Sequence, residues 1–161
     1  LAARSLFSTT VPTPSTTPAG EHHRETPPAA AGSFVGSAMG VAVNGVALFN
    51  QYAAQRAPLT SEILSFDRYN GHPQQQGMYH YHIEPVYLTA QGSARLVGVL
   101  LDGFPVYGTR DSSGVTPSNL DACNGHVGAT PEFPNGIYHY HIVANPPYIA
   151  GCFKGTPGTA S

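Results

Sequence analysis

Six of the eight histidines in this 161-residue chain fall into two matched sets. The sequence Tyr79-His80-Tyr81-His82 returns as Tyr138-His139-Tyr140-His141. On a β-strand successive side chains point to opposite faces, so His80 and His82 share one face, about 6.5–7 Å apart at Cα. Tyr79 and Tyr81 take the other. The same alternation places His139 and His141 together. Two imidazoles at this spacing can converge on one ion. His72 and His126, each in an Asn-Gly-His turn, are candidate third ligands. Asp67 and Asp121 are candidate ligands, or partners that orient an imidazole through its second nitrogen, with Tyr79 and Tyr138 beside them. Imidazole sites suit a transition metal such as zinc or copper, and no hard-ion calcium loop occurs. The competing reading is a buried network in which His and Tyr hydrogen-bond one another, backbone groups or buried water without metal. His22 and His23 have no counterpart and read as solvated polar residues.

The elements that would carry these residues also come in two copies. Val43-Asn44-Gly45 corresponds to Leu101-Asp102-Gly103, Asp67-x-x-Asn-Gly-His72 to Asp121-x-x-Asn-Gly-His126, and Gly77 through Ile83 to Gly136 through Ile142. The order is the same, at offsets of 58 (Asn44 to Asp102), 54 (His72 to His126) and 59 (His80 to His139). Each unit, about 41–88 and 97–149, therefore reads as a hairpin, a short helix or turn, an Asn-Gly-His loop and a Tyr-His-Tyr-His strand. Asn-Gly and Asp-Gly between apolar runs predict type I′ hairpin turns. Pro105 implies that its strand is a sheet edge or leaves the ladder there. Thr60-Ser61 can cap a helix over 62–68, with a shorter counterpart over 116–122. The expected fold is mainly β, with short helices, the two units packing about a pseudo-twofold axis so that both His triads face one interior.

Residues 1–33 differ in kind. Ser8 to Pro18 is rich in Thr and Pro, and Pro27-Pro28 follows. Such a segment favours an extended backbone and has the composition of O-glycosylated stalks. Within it Leu6, Phe7 and Val11 lie in a short β-prone stretch that can add to a sheet. The domain proper is expected over 34–161. Charged residues make up only 10% of the chain and the net charge is -2, which gives no basic face for nucleic acid. No apolar run is long enough to span a membrane. Two cysteines, Cys123 and Cys152, with a single Lys, fit an exported protein with one disulfide, and the chain reads as one whose export signal has been removed. Closing that loop would stabilise by roughly 3–4 kcal/mol through the unfolded state.

Around these motifs the sequence resembles the bacterial YHYH-domain family. The resemblance runs from about Gly40 to Gly155 and includes Asn70-Gly71-His72-Pro73, Leu100 through Gly108, Leu120 through His126, Gly136 through His141 and Gly151-Cys152-Phe153. It implies this domain and an exported setting rather than a particular reaction. No nucleophile elbow, His-Glu-x-x-His or phosphate loop is present. Three roles are open at this stage. The first is a secreted structural protein that self-assembles into a filament, the arm of one copy docking on the next. The second is a secreted transition-metal-binding module. The third is a metal-dependent hydrolase or oxidoreductase.

Overall fold

The computed structural model describes residues 38–159. It is mainly β: one eight-stranded mixed sheet with few short helices. The strands are β1 (Gly40–Ala42), β2 (Ala47–Leu48), β3 (Gly71–Pro73), β4 (Tyr79–Tyr81), β5 (Leu96–Leu100), β6 (Pro105–Tyr107), β7 (Gly125–Gly128) and β8 (Ile137–His141). Their order across the sheet is β3-β4-β2-β1-β5-β6-β8-β7. At the centre β1 and β5 pair antiparallel, Val41 opposite Val99. Outward on each side come an antiparallel hairpin partner (β2 or β6), a parallel neighbour (β4 or β8) and an antiparallel edge strand (β3 or β7).

The hairpins form, but not with type I′ turns. Gly45 and Gly103 have φ of 81° and 83°, while Asn44 and Asp102 are not left-handed. Their carboxamide and carboxylate oxygens instead accept from the backbone N–H of Val46 and Phe104, two residues on. An Asx turn ending in one left-handed glycine closes each loop. Pro105 opens β6, which is an interior strand between β5 and β8, not an edge. Proline is tolerated there because it is the first residue of the strand. The expected helix over 62–68 is a 3-10 turn, Glu62–Ser65, without a side-chain cap from Ser61. Its counterpart over 116–122 is not helical. The α-helix present, Val86–Thr89, carries no polar signal at its start and was not anticipated.

The core lies on the tyrosine face. Tyr81, Tyr138 and Tyr140 are buried with Met39, Leu48, Val97, Leu100, Val106 and Ile149. Burying a phenol requires a hydrogen-bond partner for its hydroxyl. Tyr79 donates to Asp67 at 2.8 Å, Tyr138 to Asp121 at 3.0 Å and Tyr140 to Asp102 at 2.6 Å, while Tyr81 accepts from Asn44 at 3.2 Å. Burial, with the carboxylate beside each ring, raises Tyr79, Tyr138 and Tyr140 well above the ordinary phenol range. Gly71 and Gly125 complete this arrangement, since a Cβ at either would overlap the ring of Tyr79 or Tyr138. Gly125→Ala must push Tyr138 off Asp121. It is expected to cost about 1–3 kcal/mol, the usual range for overpacking, read as a lower urea midpoint at unchanged slope.

Cys123 and Cys152 are bonded, tying the loop before β7 to the C-terminal segment. Among the described residues no helix is long and apolar enough to cross a membrane. Leu6, Phe7 and Val11, with the rest of the expected arm, lie outside the described residues.

Candidate metal centre

The register carries the histidines onto one face. His72 pairs with His80 and His80 with Ala47. Ala47 pairs with Val41, Val41 with Val99 and Val99 with Pro105. One residue before the Val106–Tyr140 pair, the row reaches His139, which pairs with His126. All of these point away from the tyrosine core. The six histidines do not meet in one interior, however. β4 and β8 are five strands apart in the sheet order, about 24 Å along the sheet, so the histidines form two separate clusters. The matched motifs therefore carry two sites instead of sharing one.

In the first cluster the Nε2 atoms of His72 and His80 lie 3.1 Å apart, and those of His80 and His82 2.9 Å apart. Glu62 Oε1 reaches His72 Nε2 at 3.1 Å and His82 Nε2 at 3.8 Å. In the second, His126 Nε2 stands 3.0 Å from His139 Nε2 and 3.2 Å from His141 Nε2. Aromatic rings wall the clusters. Phe49 packs on His80 at 4.2 Å, Phe66 lies parallel to His82, and Tyr107 meets His139 at 5.2 Å.

The other ring nitrogens decide what these short contacts are. His80 Nδ1 faces the Met78 carbonyl, His82 Nδ1 that of Asn50, His139 Nδ1 that of Ile137 and His141 Nδ1 that of Gly108. A carbonyl only accepts, so each Nδ1 carries the proton and donates. His126 Nδ1 donates in the same way to Asn119 Oδ1. His72 Nδ1 faces Ser65 Oγ at 2.9 Å, and Ser65 spends its own proton on the Glu62 carbonyl. It too must accept. In the neutral rings all six Nε2 atoms then present lone pairs, three to each centre. A neutral imidazole has one donor and one acceptor. Acceptors set 2.9–3.2 Å apart repel unless a cation lies among them. Ligands about 2.0–2.1 Å from a tetrahedral ion stand about 3.3 Å from one another, close to this spacing. Nδ1–H groups held by carbonyls or carboxamides are also the support that metal-bound imidazoles ordinarily receive.

Burial reinforces the neutral state. Desolvation lowers His82 and His141 from 6.5 to about 4, and it also lowers His80 and His126. Of the metal-free network, the contacts from imidazole to backbone form, while those from imidazole to tyrosine do not, because each tyrosine of the two motifs is hydrogen-bonded on the core face. Asp67 and Asp121 accept from tyrosine hydroxyls and from their own turns, at Tyr69 and Cys123 N–H, instead of orienting an imidazole. Their partners Tyr79 and Tyr138 stand with them, away from the imidazoles. Glu62, Ser65 and Asn119 went unread in the sequence. A signal existed: Ser65 and Asn119 each precede their histidine, His72 or His126, by seven residues.

A mixed sheet with a tyrosine core on one face and two imidazole triads on the other defines the class as a β-rich histidine-cluster protein. The chain belongs to the YHYH protein family, whose model matches residues 18–116 and 109–155. The match begins upstream of Gly40 and reaches into the expected arm. Neither a curated protein nor a solved structure matches the chain.

Proposed function

We propose that this protein is a secreted module that holds two transition-metal ions, one in the His72–His80–His82 cluster and one in the His126–His139–His141 cluster. The observation that carries this reading is the convergence of three Nε2 lone pairs in each cluster while every Nδ1–H is committed elsewhere. Three imidazoles with a carboxylate, or three imidazoles alone, are borderline donor sets suited to zinc or copper. The matching order of strands outward from β1 and β5 supports an origin by duplication of one unit about a pseudo-twofold axis. The disulfide supports an oxidising, extracellular setting. The decisive measurement is the metal content of protein purified without chelator and of chelated protein refilled with zinc. Two ions per chain are expected. Content below one tenth of an ion per chain after refilling would end this reading.

A second reading concerns assembly. A shallow apolar groove crosses the centre of the histidine face, lined by Ala38, Val41, Ala47, Met78, Val99 and Leu101. Val41, Met78 and Val99 are 40–50% exposed there. We propose that the segment around Leu6, Phe7 and Val11 of a neighbouring copy docks in this groove, building a filament, with Ser/Thr of the arm available for O-linked glycans. Removal of residues 1–33 should abolish assembly seen by electron microscopy. Filaments formed by the truncated chain would eliminate the arm.

A further inference from the structure

Although the two clusters carry the same three histidines, their fourth positions differ. In the first, Glu62 supplies a carboxylate to both His72 and His82. Ser65, three residues after Glu62, holds His72 Nδ1. In the second, Asn119 holds His126 Nδ1, and the residue three before it is Thr116. Thr116 offers no carboxylate. It lines a cavity of about 240 Å³ that is bounded by His141 itself, together with Thr109, Pro117 and Leu120. Two acids lie nearby, and one of them, Asp111, lines a small cavity with His139 and His141. Asp111 Oδ1 accepts from Ser113 N–H and Oγ–H and from Val115 N–H, and Glu132 accepts from the Tyr107 hydroxyl. Neither belongs to the cluster, which among the described residues consists of the three imidazoles alone.

Resting on the two-metal reading, we infer that the His126–His139–His141 centre is open at its fourth position and binds a small exogenous anion or water there, whereas Glu62 closes the first centre. Three neutral imidazoles leave the full charge of a divalent ion uncompensated, which favours an anion. Four protein ligands make a closed structural site, and three leave room for a ligand from solution. The cavity of about 240 Å³ touches this centre at His141, as one of about 120 Å³ touches the first at His80 and His82, so the difference between the centres lies in the ligand count.

The test uses the full chain loaded with two Co²⁺ ions, titrated with sodium azide and followed by its visible absorption. Azide should alter part of the cobalt spectrum and saturate at one equivalent per chain. Thr116→Glu should reduce the response at least tenfold, by placing a carboxylate in the cavity that His141 bounds. Glu62→Ala should raise the saturating response to two equivalents. A cobalt-loaded protein whose spectrum ignores azide overturns the inference, as does one that binds two azides before any substitution. An undiminished response in Thr116→Glu does so as well. Failure to take up cobalt at either centre is a different result, and overturns the metal-binding reading itself.

Discussion

Zinc added in excess to chelated protein is expected to raise its melting temperature by on the order of 10–20 °C. A ligand that binds only the native state stabilises it by about 2.7 kcal/mol at one hundred times its dissociation constant. Two sites double that, and about 2–4 °C accompanies each kcal/mol in a domain near this size. The clusters are preformed, because each Nδ1–H is already anchored and the rings are packed against Phe49, Phe66 or Tyr107. Little ordering therefore opposes binding. His80→Ala with His82→Ala should remove about half of the zinc-induced rise, and His139→Ala with His141→Ala the other half. Calcium, which prefers oxygen donors, should produce no comparable rise. A zinc response below 2 °C would contradict the expectation.

Acid should undo the metal-free protein over a defined window. His82 and His141 titrate near 4 in the fold, against 6.5 in the unfolded chain, chiefly because burial disfavours the imidazolium. Between those values the unfolded chain binds protons that the native state refuses, so stability falls as pH falls. The full contribution is present above pH 6.5 and declines progressively toward pH 4, where the native imidazoles begin to accept protons too. Each pKa unit corresponds to about 1.4 kcal/mol, so each of these two residues accounts for on the order of 3 kcal/mol by pH 4. Both side chains are almost completely buried, which keeps solvent from screening the effect. Urea melts of chelated protein at pH 7.5, 6, 5 and 4 would show this slope. Equal midpoints at pH 7.5 and 4.5 would refute it. Zinc should shift the loss to lower pH, since bound imidazole must lose the metal before it gains a proton.

Much of the candidate site was legible because the strand period is two. Alternation alone placed His80 with His82, whose Nε2 atoms meet at 2.9 Å, and Tyr79 with Tyr81 on the opposite face. The matched spacing of Asn-Gly-His brought His72 and His126 to the right neighbours. What could not be read was distance between elements. Nothing local in the sequence shows that β1 and β5 pair at the middle of the sheet, which sends the triads to opposite sides. The expectation of one interior failed for that reason. Turn type was misread because side-chain oxygens of Asn44 and Asp102 satisfy the loop, so only the following glycine must be left-handed. The aspartates were assigned to imidazoles because carboxylates commonly orient them. Here backbone carbonyls do that work for four of the six, and the carboxylates serve buried phenols.

The edge strands carry one more implication, for solubility. β3 and β7 end the sheet on either side, and each contributes one histidine, His72 or His126, while the inner strand next to it bears the rest of the triad. An exposed sheet edge invites pairing with another chain. An ion shared between edge and inner strand would rivet the edge in place at both ends of the sheet. On this reading the metal also guards against aggregation, and chelator should increase light scattering at temperatures well below the melting transition.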